Sequence, residues 1–307
     1  VNAFWNRWRK QLAWESVPAG TVEGRADRDP AVGPALTDEL ERVLTPVMRP
    51  CAGIALAGAA ESPIHSFLTG HPYLPAGTTW PEGAAGPQIF VGQINFAEVA
   101  SVGALPGFPR TGLLQWFVDA DDTYGLTFDR SAGTAGFSTR WYADPSTAAG
   151  SPQPDAPTPT DTVDDLPMEF VGPTALQFRH SISIPDWSGL PAQHRSDPIW
   201  ERLAAALGER RADPEFVYEE YVRGGSSLLD QLRTASKVGG YPSFTQDDPR
   251  GTGSYPAADS GQAELIIELD SIDVGGWGDS GVAHLFGDPA ALATGGLTSI
   301  RYHWDCL

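Results

Sequence analysis

The chain has 307 residues, 41% hydrophobic and 19% charged, enough apolar content to bury a sizeable core and too much for a disordered protein. Its formal net charge is -19, which repels phosphate backbones, disfavours nucleic acid as a direct ligand and favours a basic protein as partner. The 34 Gly and 27 Pro point to short strands joined by turns rather than to a helical protein.

The first segment, "FWNRWRKQLAW", places Phe4, Trp5, Trp8 and Leu12 on one helical face with Arg7, Arg9 and Lys10 beside them. A short aromatic and basic helix of this kind is expected to dock on its own domain or on a partner, and residues 1–35 read as an N-terminal arm. "TDELERVLTPVM" then reads as a helix with Thr37 as N-cap and acidic residues in its first turns. "CAGIALAG" is a buried strand, "TGHPYLPAGTTWP" is turn chemistry throughout, and "QIFVGQINF" and "GLLQWFVDA" are strands.

Residues 144–167, rich in Pro, Ser, Thr and Asp, cannot bury enough surface to offset their ordering entropy and read as a loop. Beyond it, "ALQFRHSISI" is a strand, and "DPIWERLAAALGERR", "DPEFVYEEYVR" and "SSLLDQLRTAS" are helices, the first with Asp197 as N-cap and Pro198 as first helical residue. The two parts of the chain carry the same order of signals. Gly70, Pro72, Tyr73, Gln93, Asn95, Gly112 and Phe117 in one match Gly240, Pro242, Ser243, Glu268, Asp270, Gly281 and Phe286 in the other. This predicts an internal duplication: a first repeat over residues 36–143, the loop over 144–167, and a second repeat over 168–307, packed as one domain.

Only Cys51 and Cys306 occur, with neither zinc-site spacing nor the density of a disulfide scaffold, so a reducing cytoplasm is the expected setting. No apolar run reaches the ~20 residues that span a bilayer, and no cleavable leader pattern is present, so membrane contact is not expected.

The ordered series "TGHPYLPAGTTWP", "IFVGQINFAEV", "LPGFPRTGLLQWFVDADD", "KVGGYPSFTQDD", "ELIIELDS", "WGDSGVAHLF" and "HWDC", spanning about residues 44–306, resembles the YwqG-like family of bacterial proteins of unknown function. The chain departs from that pattern at Phe67, Leu68 and Thr69 and at Glu268, where the family more often carries Gln. The resemblance implies an α+β, strand-rich, internally duplicated fold with short flanking helices and no established catalytic residues. Some relatives neighbour secreted toxins and their immunity proteins, which implies toxin neutralisation as a role.

Gly278-Asp279-Ser280-Gly281 spells the surroundings of a protease serine, but no histidine base and orienting acid accompany it, and the repeat aligns it with the turn Arg110-Thr111-Gly112. "DADDTYGLTFDR" fails as an EF-hand because Tyr124 and Arg130 stand where Gly and Glu are needed. A different cation site remains open on Asp119, Asp121 and Asp122, with Asp270, Asp273 and Asp279 as the second-repeat counterpart. Glu268 and Asp270, two apart on a strand, face the same way and suit general acid/base work, with Gln93 and Asn95 as their first-repeat counterparts in a cleft between repeats. The six histidines show no metal-binding spacing, and the Gly pairs lack a phosphate-binding context, so no cofactor is expected. The leading expectation is a non-enzymatic interaction module for a basic protein, of immunity type; the alternative is a hydrolase or small-ligand binder using Gln93, Asn95, Glu268 and Asp270.

Overall fold

The computed structural model describes residues 32–84, 86–127, 136–146, 167–168, 172–208, 213–223 and 235–307. The aromatic and basic helix expected at the N-terminus, most of the 144–167 loop and most of the "SSLLDQLRTAS" helix lie outside these residues. The chain groups into two units, one from residues 1–48 and 184–233 and the other from 49–183 and 234–307, a division that interleaves along the sequence.

The larger unit is a strand-rich sheet of ten strands. They are β1 (Arg49–Ala59), β2 (Phe67–Leu68), β5 (Ile89–Asn95), β6 (Leu113–Val118), β7 (Phe137–Tyr142), β8 (Thr174–Ser183), β9 (Lys237–Gly239), β10 (Glu264–Asp270), β11 (Val282–Gly287) and β12 (Arg301–Asp305); β3 (Glu82–Gly83) and β4 (Gly86–Pro87) form a separate hairpin. The order across the sheet is β12-β11-β10-β9-β1-β8-β2-β5-β6-β7, with every neighbouring pair antiparallel. The long β1–β8 pair, from Arg49 opposite Ser183 to Ala59 opposite Thr174, lies at the centre.

The sheet curls into a near-barrel. Its outermost strands approach one another through side chains, with the rings of Phe137 on β7 and Tyr302 on β12 at 5.5 Å between centroids. Period-two alternation decides which side chains fill the concave interior. On β6, Leu114, Trp116 and Val118 join the main core, while Phe117 packs on the other face with Phe67 and Phe90. Trp116 stacks on Trp277 at 5.6 Å, and Tyr124, Tyr302 and Trp304 surround the pair. Tyr302 donates its hydroxyl to the carbonyl of Tyr124, and Trp304 Nε1 donates to that of Thr123.

The smaller unit is helical. Leu40, Val43 and Leu44 of the helix Pro34–Leu44 are buried in one apolar cluster with Ile199, Trp200 and Leu203 of the helix Ile199–Leu207 and with Val217 and Tyr218. Two helix starts differ from expectation. Gly33, not Thr37, is the N-cap of the first helix: Pro34 supplies a preset φ at the first helical position, so the helix begins a turn earlier and the Thr37 hydroxyl bonds back to the Gly33 carbonyl. The cap residue of Ile199–Leu207 is Pro198, and Asp197 Oδ1 accepts from the Ile199 amide. "DPEFVYEEYVR" divides into an α-turn at Pro214–Val217, capped by Asp213, and a π-helical turn at Tyr218–Arg223.

Candidate functional site

Antiparallel register places directly opposed residues on one face of a sheet. Two rows of such residues cross the sheet at corresponding places. One runs Phe67–Gln93–Gln115–Arg140 over β2, β5, β6 and β7; the other runs Lys237–Glu268–His284–His303 over β9, β10, β11 and β12.

Each row clamps the backbone of a Gly-x-Pro turn. Gln93 Oε1 accepts from the Tyr73 amide at 2.9 Å, and Gln115 Nε2 donates to the Tyr73 carbonyl at 2.6 Å. In the second row Glu268 Oε2 accepts from the Ser243 amide at 2.8 Å, and His284 Nε2 lies 2.8 Å from the Ser243 carbonyl. Both turns would otherwise carry unsatisfied peptide groups against a buried sheet face.

The strand ends are matched too. Asn95 caps the helix Phe96–Ser101 through the Ala97 amide, and Asp270 caps Ser271–Val274 through that of Ile272. The amides of Asn95 and Asp270 donate to the hydroxyls of Ser66 and Ser236, whose own amides donate to Glu98 and Asp273. The Phe96 and Ser271 amides each donate to the carbonyl of a glycine, Gly112 and Gly281. Even the register irregularities correspond, falling between Phe90 and Gly92 and between Leu265 and Ile267.

The rows differ in charge. Gln93 and Gln115 are neutral, whereas Glu268, with no exposure, bonds Lys237 Nζ, accepts the Ser243 hydroxyl at 2.7 Å and lies 3.4 Å from His284 Nε2. Burial drives the Glu268 carboxyl upward, but the Lys237 ammonium and His284 together outweigh it and hold the group down at about 2. Asp270 is shifted the other way, raised chiefly by burial, although the Ile272 amide opposes that.

The Ser243 hydroxyl is bonded to a carboxylate, and the imidazole is committed to the Ser243 carbonyl. A nucleophilic serine needs its hydroxyl on the imidazole instead. "WGDSG" is a turn, with Trp277 and Ser280 at positive φ and a Cβ on Gly281 only 1.7 Å from the Trp277 carbonyl oxygen.

Of the carboxylates weighed for a cation, Asp119, Asp121, Asp270 and Asp273 each accept from donors of the protein itself. Asp119 holds Gln88 Nε2 and the Ala84 amide; Asp121 holds the Thr123 and Gly125 amides; Asp273 holds Ser236. Asp122 and Asp279 are exposed. Among the described residues no three His, Cys, Asp or Glu side chains converge as a metal would require.

Gln93, Asn95, Glu268 and Asp270 therefore sit as two clamp residues and two helix caps. The partners that sequence reasoning missed are Lys237, Ser236, Ser66, Gln115, His284 and Arg140. The signal for them was available in part, since Lys237 precedes the second Gly-x-Pro turn and Gln115 and His284 are the polar members of otherwise apolar strands.

A near-barrel antiparallel sheet with short helices at its strand ends and two turns clamped by buried polar rows defines the class. The chain belongs to the family described as Domain of unknown function (DUF1963), whose model matches residues 66–306. Comparison with curated proteins finds no match. Among the described residues no helix is long and apolar enough to cross a membrane.

Proposed function

We infer that this chain is a YwqG-like, non-enzymatic protein-interaction module made of two copies of one unit, and that its partner is a basic protein neutralised in the manner of an immunity protein. The observation that carries the reading is the commitment of the polar rows to the turns they hold. Glu268 and Gln93, the residues best suited to act on a ligand, each take up a turn amide, and Ser243 gives its hydroxyl to the carboxylate. Acid catalysis of glycoside hydrolysis needs one carboxyl kept protonated near neutral pH, and Glu268 at about 2 stays ionised there.

A rigid sheet leaves recognition to the surface, where a net charge of -19 speeds encounter with a basic partner and discriminates against acidic ones. The matched clamps, caps and register irregularities support the duplication. The free thiols of Cys51 and Cys306 fit a reducing cytoplasm.

The test is affinity capture of the tagged chain from its native lysate at low and moderate salt, with the retained proteins identified by mass spectrometry. A single basic partner released by salt is the expected result. A retained partner whose binding ignores ionic strength contradicts the electrostatic reading, and turnover of a substrate that is lost on Glu268→Gln contradicts the non-enzymatic one.

A further inference from the structure

The smaller unit carries an aromatic face that its own core does not use. Val217, Tyr218 and Val222 turn inward to the apolar cluster, whereas Phe216 is 46% exposed, and no other aromatic side chain among the described residues is exposed. The π-helical turn Tyr218–Arg223 gives that ring a neighbour. In an α-helix two residues five apart point ~140° away from one another. The wider π turn brings Tyr221 back beside Phe216, and the two rings meet edge-on at 6.5 Å. Turns of this kind are rare and recur at functional sites.

The same turn is acidic, and part of its charge is left over. Glu219 Oε1 accepts from the Trp187 amide and Oε2 from Arg223, each at 2.7 Å, so Glu219 and Arg223 are spent inside the unit. Glu215 precedes Phe216 and Glu220 precedes Tyr221, so each ring has an exposed carboxylate next to it in the chain. Neither of those carboxylates is paired among the described residues.

We propose that this face docks the chain's own N-terminal segment, residues 4–14, with its aromatic stripe on Phe216 and Tyr221 and its cations toward Glu215 and Glu220. The segment "FWNRWRKQLAW" is complementary in both respects: Phe4, Trp5, Trp8 and Leu12 share one helical face, and Arg7, Arg9 and Lys10 accompany them with no acidic residue. Aromatic rings gain from edge-on contact and from a guanidinium over their faces, and both are on offer here. The tether permits the contact. Residues 15–31 reach up to ~55 Å when extended, whereas a unit of about 100 residues has a radius of gyration of only ~13 Å. A linker of that length holds the segment at an effective concentration that a free partner seldom matches. Nucleic acid or an acidic lipid surface would instead meet Glu215 and Glu220 with like charge. The contact goes beyond the interaction reading and holds whatever the partner is.

The experiment is hydrogen exchange of the full chain at low salt, read by mass spectrometry on peptides covering residues 4–14. In the unaltered protein these are expected to exchange at least about tenfold more slowly than a free chain, and Phe216→Ser is expected to remove that protection. Glu215→Gln combined with Glu220→Gln is expected to reduce it about fivefold, as is moderate salt. Unchanged exchange in the helix Ile199–Leu207 separates loss of the contact from loss of the fold. If Phe216→Ser also opens that helix, the double Gln variant, which leaves every ring in place, decides. Exchange of residues 4–14 at the free-chain rate in the unaltered protein overturns the proposal, as does protection that survives both variants. Protection that disappears on dilution also overturns it, because it assigns the face to a second copy of the chain.

Discussion

Lys237 and Glu268 form a buried ion pair at the place where the other row carries Phe67 and Gln93, and this contrast yields a quantitative test. Lys237→Met keeps the length of the side chain and removes its charge, leaving Glu268 ionised at a site with no solvent exposure. Breaking a buried pair from one side costs about 3–5 kcal/mol. The carboxyl gives a similar figure: a fall from ~4.3 in the unfolded chain to about 2 in the folded one is worth ~3 kcal/mol at neutral pH. Because the folded value is depressed, that contribution is fully present above the unfolded value and is lost as pH falls through the folded one. Adding Glu268→Gln removes the stranded charge and recreates the neutral chemistry of Gln93, so the double variant is expected to regain at least ~2 kcal/mol over Lys237→Met alone. Urea denaturation at neutral pH, followed by near-ultraviolet circular dichroism, reads the midpoints at constant slope. Costs that simply add in the double variant would refute the pairing and the equivalence of the rows.

Other outcomes follow from local geometry. Asp270→Ala and Asn95→Ala each remove a helix cap and are expected to cost ~1 kcal/mol in the same denaturation assay. Gly125→Ala is expected to be far more damaging than an exposed Gly→Ala change, because Gly125 has φ +74° and an added Cβ would lie 1.8 Å from the Gly136 carbonyl oxygen; soluble yield and melting temperature check this. Trp116→Ala empties the stacked centre of the barrel interior and is expected to cost ~3–5 kcal/mol. Burial pushes the Cys51 thiol up to about 12, so iodoacetamide is expected to label Cys306 in the native protein and both thiols only after unfolding; mass spectrometry of the labelled peptides decides.

Much of the sheet is legible as sequence because several of its strands are apolar or alternating runs. "QIFVGQINF" and "GLLQWFVDA" become β5 and β6, whose side chains are buried on both faces and need little polar alternation, whereas "ALQFRHSISI" becomes β8 by alternation, with Gln177 and Arg179 exposed beside buried Leu176 and Phe178. β2 and β9, two and three residues long, carry no periodic signal, yet they join β5 and β10 to the central β1–β8 pair. The clamps are less legible still. Gln93 and Glu268 stand out as polar residues within apolar strands, but nothing local shows that they turn toward Tyr73 and Ser243 rather than toward a ligand. Lys237 lies 31 residues from Glu268, so only register brings the two together. Thr37 illustrates the reverse case, a good capping residue overruled by Pro34 because a preset φ starts the helix sooner.

The central claim, that buried polar rows serve to hold two Gly-x-Pro turns on the sheet, is tested most directly by hydrogen exchange at the Tyr73 and Ser243 amides. Both lie in turns outside the strand ladder, and each donates to a buried side chain. The account predicts that they exchange as slowly as amides of β5 and β10, and that Gln93→Ala releases the first while leaving the second protected. Exchange of both at the rate of free loop amides in the unaltered protein would contradict it.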